Sequence, residues 1–294
     1  MDYAYRRWTE CIFCWCHCMS PYGPTRSPEQ ISILRSLLRN YWNRHYVMAT
    51  TLTSKSTPQL SEEALRNGVV LAINKPIGWT SFDVVNKIRW VIRKRLGVKK
   101  FKVGHAGTLD PLATGVLVLC VGKATKTIES WMATSKGYTG IIRFGATTPS
   151  FDLETDIDRT YSIPELSQER ITELTEKFTG EFLQRPPRHS AIQIGGQRAY
   201  KQARKGEVFE LEPRPVEVQN LELTPHDIDC LAFSLTCTKG TYIRSLARDM
   251  GTSLGNGAHL IQLTRTAVGN VQLEDCFAIE DCIAMLERNN TLAS

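Results

Sequence analysis

Nothing in the 294 residues approaches the roughly 20 consecutive apolar residues that a membrane-spanning helix needs, so an integral helical membrane protein is set aside. No internal repeat is found. The nine cysteines make no disulfide framework. Their number is odd, and Cys120, Cys230, Cys237, Cys276 and Cys282 are widely scattered. A reducing compartment, the cytoplasm, is therefore expected. The other four cysteines crowd into Cys11, Cys14, Cys16 and Cys18, a spacing too compressed for paired zinc knuckles. The alternating carboxylates Asp152, Glu154, Asp156 and Asp158 lack the glycine and the spacing of a calcium loop, and read as a solvated loop. No metal is expected. Acid is also missing between Val84 and Leu109, while basic residues are dense there.

What is present is ordinary in composition: 42% hydrophobic and 22% charged residues, as in a soluble globular protein of one or two domains. The net charge of +6 (36 basic minus 30 acidic) permits a polyanionic partner without demanding one. Residues 1–67 differ from the rest. They hold the cysteine cluster, several prolines and a polar linker from Thr50 to Pro58. The first 47 residues carry six Arg and three acids, a balance a targeting segment would share. The preferred expectation is that translation starts at Met48 and that residues 1–67 are an extension, disordered or outside the mature protein. The organised chain is then expected over 68–288, with 289–294 as a tail.

Alternation and helical periodicity outline an α+β domain. Val69–Ile73 reads as a buried strand. Thr80 and Asp83 open a helix whose apolar face is Val84, Val85, Ile88, Val91 and Ile92, and Gly97 ends it. Its other face carries Lys87, Arg89, Arg93, Lys94 and Arg95, followed by Lys99, Lys100 and Lys102. This single-signed run fits a phosphate backbone. Strands are expected at 116–121, 138–144, 216–223 and 231–238. Helices are expected from Ser167 to Phe178, from Ile243 to Leu254 and within Asp275–Leu286. The 23 residues from Gln184 to Gly206 hold six basic residues, one His and no acid, broken by glycines and paired prolines.

The chain centres on Gly104-His105-Ala106-Gly107-Thr108-Leu109-Asp110-Pro111-Leu112-Ala113-Thr114-Gly115. Three glycines and a proline in twelve residues mark an irregular loop that carries one carboxylate, Asp110, into the apolar run Val116–Val121. By itself an Asp-Pro pair in such a loop is a turn. The full string resembles the catalytic motif of the TruB family of tRNA pseudouridine synthases. Lys75-Pro76-x-Gly78-x-Thr80-Ser81, Lys136-x-Tyr138, Lys239-Gly240-Thr241-Tyr242-Ile243-Arg244 and Ala258–Gly269 match its other motifs in order, over about residues 69 to 288.

The resemblance implies the pseudouridine synthase fold: a mixed, largely antiparallel central sheet flanked by helices, with a thumb-like insertion at about 184–206 that clasps RNA. It implies isomerisation of uridine 55 in the T-loop of tRNA, by base flipping and without a cofactor. The roles it implies are Asp110 as nucleophile, Arg244 keeping Asp110 ionised and oriented, and Tyr138 stacking on the base and serving as a candidate proton acceptor. His105 is the wedge that holds the loop open, Tyr242 and Leu263 shape the pocket, and Lys75 supports the site from beneath. The partner implied is the tRNA T-arm, met by a monomer without protein partners. Gln193 departs from the family's frequent Lys, and the PUA domain that many members carry has no counterpart here. Two rivals remain from the residues alone: a nucleoside hydrolase, which would need a second carboxylate and a poised water, and an RNA-binding folding factor in which catalysis is idle.

Overall fold

A computed structural model describes residues 50–55, 60–188 and 211–288, together with 190, 193–194, 197–199, 202 and 209. The cysteine cluster, Met48, the 289–294 tail and much of the 184–206 insertion lie outside the described residues. All described residues belong to the unit Ala49–Ser294.

In chain order the elements are β1 (Thr50–Leu52), α1 (Glu62–Asn67), β2 (Val69–Lys75), α2 (Ser81–Leu96), β3 (Val103–His105), β4 (Ala113–Val121), a 3-10 segment (Gly122–Thr127), α3 (Ile128–Ala133) and β5 (Lys136–Phe144). They continue with β6 (Ala146–Thr147), β7 (Arg159–Thr160), α4 (Gln168–Phe178), β8 (Gly180–Gln184), β9 (Gln193–Ile194), β10 (Gln197–Arg198), β11 (Arg214–Asp227) and β12 (Cys230–Cys237). The chain closes with α5 (Ile243–Ser253), β13 (Ala258–Val268), β14 (Val271–Gln272), a 3-10 turn (Leu273–Asp275) and α6 (Ile279–Glu287).

One ten-stranded sheet runs in the order β1-β2-β4-β13-β5-β12-β11-β8, with β14 beside β13 and β3 beside β4. Only β1/β2 and β4/β13 pair in parallel; the other ladders are antiparallel. This is the mixed, largely antiparallel α+β architecture expected above. β4 is buried along nearly its whole length, which is why it reads as an unbroken apolar run rather than an alternating one. β12 alternates, with Leu231, Phe233, Leu235 and Cys237 turned to the layer of α4 and α5. The first half of the sheet packs instead on α2 and α6.

The compact chain begins earlier than Gly68. β1 pairs with β2 from Thr50↔Val69 to Leu52↔Leu71. Leu52, Leu60 and Leu65 are buried in the α2–α6 layer. The polar composition around Thr50 hid this, because a three-residue strand with a single inward Leu leaves almost no periodic signal. α2 begins as its sequence dictates: Asp83 N donates to Thr80 Oγ1 (3.1 Å) and Thr80 N donates to Asp83 Oδ2 (2.9 Å), a reciprocal cap. Gly97 closes it in the left-handed region at φ 62°.

Candidate active site

The twelve-residue motif is less irregular than its glycines suggest. Its first two residues end β3 and its last three open β4, leaving Ala106–Leu112 as the loop. Gly115 stands at φ 104°, and a Cβ there would meet the Arg265 backbone oxygen at 2.2 Å. The close approach that this glycine permits is thus made by β13, which pairs in parallel with β4 at this point.

Three elements fasten the loop. Ser81, the first residue of α2, accepts from Leu109 N (2.8 Å) and donates to Leu109 O (3.0 Å). Gly78 N donates to Pro111 O at 2.8 Å. Lys75 is fully buried, and its Nζ donates to Trp79 O (2.6 Å), Pro76 O (2.9 Å) and Pro111 O (3.3 Å). Burial lowers its pKa to about 8, partly offset by the field of Asp110. An ammonium saturated by three carbonyls is a brace under the loop, with no donor left to meet a substrate.

Asp110 faces α5. Arg244 Nε lies 2.9 Å from Asp110 Oδ2, and Arg244 Nη2 donates to Asp110 Oδ1 at 3.1 Å, a two-pronged pairing. The remaining prong, Nη1, donates to Ser150 O at 3.1 Å, and Asp152 Oδ2 lies 3.6 Å from Nε. Arg244 falls off the apolar stripe of α5, where an arginine is ordinarily exposed, yet it is buried because it points across the helix start at two carboxylates. Asp152 corrects the reading of its run as a solvated loop: it is buried beside Arg244. Phe151, at φ 63°, makes the sharp turn that aims both Ser150 O and Asp152 at the guanidinium. Its N–H donates to Thr148 O, its carbonyl accepts from Leu260 N, and Arg248 covers its ring at 4.9 Å.

About a third of the Asp110 side chain (32%) is open at the mouth of the cleft. The burial of the rest pushes its carboxyl above the usual carboxylate range; Arg244 pulls it down and Asp152 pushes it up again. The expected effect of Arg244, holding Asp110 ionised, is therefore present but does not set the net direction. The cleft is lined by Leu112, Leu153, Leu260 and Leu263 beside the charged Asp152 and Arg244, so apolar side chains flank the carboxylate.

Of the residues singled out in the sequence, Asp110, Arg244 and Leu263 line this one cleft. Tyr138 and Tyr242 stand within the electrostatic reach of Asp110. Burial raises the pKa of both phenols. Tyr242 is the residue before α5, tied through its backbone N–H and C=O to the side chain of Gln184 (2.8 and 3.1 Å). His105 lies on β3 opposite Leu119 and is not among the cleft-lining residues.

Arg265 is the residue that sequence reasoning passed over. It is buried on β13 and bonds Val116 O through Nε (2.7 Å), Gly107 O through Nη2 (3.2 Å) and Thr108 O through Nη1 (3.4 Å). Its positive charge also acts on the Tyr138 phenol, lowering its pKa against the larger effect of burial. One guanidinium thus ties the Asp110 loop to β4. Its only sequence signal is an arginine on a strand position that alternation turns inward, opposite Tyr138. Arg265→Lys keeps the charge but not the fork, and one ammonium cannot span all three oxygens in the same geometry. That variant is expected to lose about 2–4 kcal/mol of stability, the cost of leaving one or two buried acceptors unpaired, as read by urea denaturation.

Residues 93–243 match the family described as TruB family pseudouridylate synthase (N terminal domain), and residues 244–293 match the tRNA pseudouridylate synthase B C-terminal domain. A tRNA pseudouridine synthase B of Phocaeicola vulgatus is 51% identical over 215 residues, covering 73% of this chain and 92% of the relative. Proteins of the same name from Bacteroides thetaiotaomicron (49%, covering 76% and 95%) and Chlorobaculum tepidum (43%, covering 78% and 93%) are similar over the same span. Among solved structures, a chain of a Cbf5-Nop10-Gar1 complex superposes with a TM-score of 0.58 at 26% identity, over 79% of this chain and 58% of that one.

Proposed function

The chain belongs to the TruB family of pseudouridylate synthases, and from that premise we propose that it converts uridine 55 in the T-loop of tRNA to pseudouridine. The reaction breaks the N1–C1′ bond, turns the uracil and joins C1′ to C5. The proton lost from C5 is balanced by the one N1 gains, so the chemistry is an isomerisation without an external redox partner.

The observation that carries this reading is the two-pronged Arg244–Asp110 pair in a cleft flanked by leucines. A nucleophile at the anomeric carbon must be ionised, aimed and shielded from water. Arg244 aims Asp110 by the Nη2 hydrogen bond and the ion-pair contact of Nε, and the leucines beside the carboxylate limit the access of water. Asp110 attacks the ribose side of the glycosidic bond of a uridine taken out of its stack. Tyr138 packs against the released base and, opposite Arg265 on the neighbouring strand, stands ready to accept the C5 proton. Tyr242 and Leu263 shape the pocket, and His105 is the wedge that holds the loop open. The basic residues position the backbone, whereas the shape of the T-loop supplies selectivity. The 184–206 insertion takes the role of the family's thumb that clasps the RNA stem-loop.

The test is incubation of the full 294-residue chain with an unmodified tRNA transcript, followed by carbodiimide-stop mapping. A single stop at position 55 is expected. Release of free uracil would establish a hydrolase instead, and tight binding without any stop would establish a binding factor.

A further inference from the structure

We propose that the outer face of α2 is a second RNA-docking surface, which grips phosphates of the tRNA beyond the nucleotides that enter the cleft and stacks one unpaired base on Trp90. The proposal rests on the reading of the chain as a tRNA-modifying enzyme.

The inner face of α2 buries Val84, Ile88, Val91 and Ile92. The outer face leaves two large aromatics in solvent, Phe82 at 60% and Trp90 at 52% exposure. Each is attended by cations. Lys87 and Lys94, one turn to either side, hold their ammonium groups 5.7 and 5.3 Å from the Trp90 ring centroid. The Arg89 guanidinium lies 6.0 Å from that of Phe82. The helix has a single acid, Asp83, and it is engaged in the cap with Thr80. Beyond the helix Lys99, Lys100 and Lys102 are exposed as well.

A merely solvated charge run has no use for exposed aromatic rings. An apolar protein-docking face would not be ringed by charges of one sign. RNA uses both features, phosphates meeting the cations and bases stacking on the rings. The surface is also continuous with the site. The first residue of α2 holds the catalytic loop through Leu109, and Arg89 Nη2 donates to Val103 O (2.9 Å) at the start of the strand that leads to His105. Trp90 lies nine residues along the helix from Ser81, about 13 Å at 1.5 Å per residue. It therefore cannot touch the uridine in the cleft, and it meets a different part of the same RNA.

The experiment measures the tRNA dissociation constant, its salt dependence and turnover for three full-length proteins: wild type, Trp90→Leu, and Lys87→Gln with Lys94→Gln. All changed side chains are exposed, and unchanged melting temperatures confirm intact folds. Trp90→Leu is expected to weaken tRNA binding by about five- to a hundredfold with an unaltered salt slope, because it removes a stacking platform and no charge. The double lysine variant is expected to lower the slope of log K against log salt by about 1.4 to 1.8, the loss of two phosphate contacts. At saturating tRNA both should turn over within about twofold of wild type, because neither side chain reaches the cleft. Wild-type affinity and slope in both variants would overturn the proposal, and is also the result if a protein occupies this face. If the wild type forms no pseudouridine while both variants still lose affinity, the enzymatic reading falls and the docking surface stands.

Discussion

Asp110→Asn is expected to abolish pseudouridine formation, by at least about 10⁴-fold in kcat, with tRNA affinity within a few-fold of wild type. The amide is isosteric and can still meet Arg244, so the cleft keeps its shape; what disappears is the ionised oxygen that reacts. The acidic limb of the wild-type pH–rate profile should lie above the ordinary aspartate value of about 3.9, because burial raises the Asp110 carboxyl. Stability should move the other way from activity. A carboxyl whose pKa is higher in the folded than in the unfolded chain stabilises the fold most when protonated. That contribution is complete below the unfolded pKa and is lost as pH rises through the folded one. The asparagine variant carries no such loss, so its stability relative to wild type should improve from about pH 4 upward. Urea denaturation across that range, beside single-turnover assays, checks both halves. Residual turnover at a tenth of the wild-type rate would remove Asp110 from the chemistry.

How far the site could be read in advance depends on what kind of residue each part is. Asp110 and Arg244 stand in consecutive motif residues whose glycines and proline are visible in the chain, and they meet at 2.9 Å although 134 positions separate them. The capped start of α2, its Gly97 stop and the apolar run of β4 follow local rules, and the structure reproduces them. Asp152 and Arg265 do not follow such rules. A charged side chain is normally at the surface, and only the tertiary arrangement shows that Asp152 faces Arg244 and that Arg265 is surrounded by carbonyl oxygens. Phe151 at φ 63° is a further case, since nothing in a phenylalanine announces a left-handed turn. The same limit hid β1, whose three residues gain their meaning only from the register against β2. Hydrophobic pattern located the scaffold, whereas buried charge, which runs against pattern, built the site on it.

Two substitutions at Arg244 separate what its charge does from what its shape does. In Arg244→Gln the cation is gone, and Asp110 is left facing Asp152 without the group that lowered its pKa. The acidic limb of the pH–rate profile should then rise by about one to three units. At pH 7 kcat should fall by about 10²- to 10³-fold, the scale for losing one preorganised electrostatic partner. Part of that loss should return at higher pH, as the carboxylate is restored by titration rather than by its partner. Arg244→Lys keeps the positive charge, so its limb should stay close to that of wild type. A single ammonium cannot grip both Asp110 oxygens and Ser150 O together. The nucleophile is then free to turn, and kcat should fall by roughly 10- to 100-fold at every pH. If instead both variants lose activity equally and neither limb moves, Arg244 serves only to hold the Ser150–Asp152 turn against α5. The field of the guanidinium would then have no part in keeping Asp110 reactive.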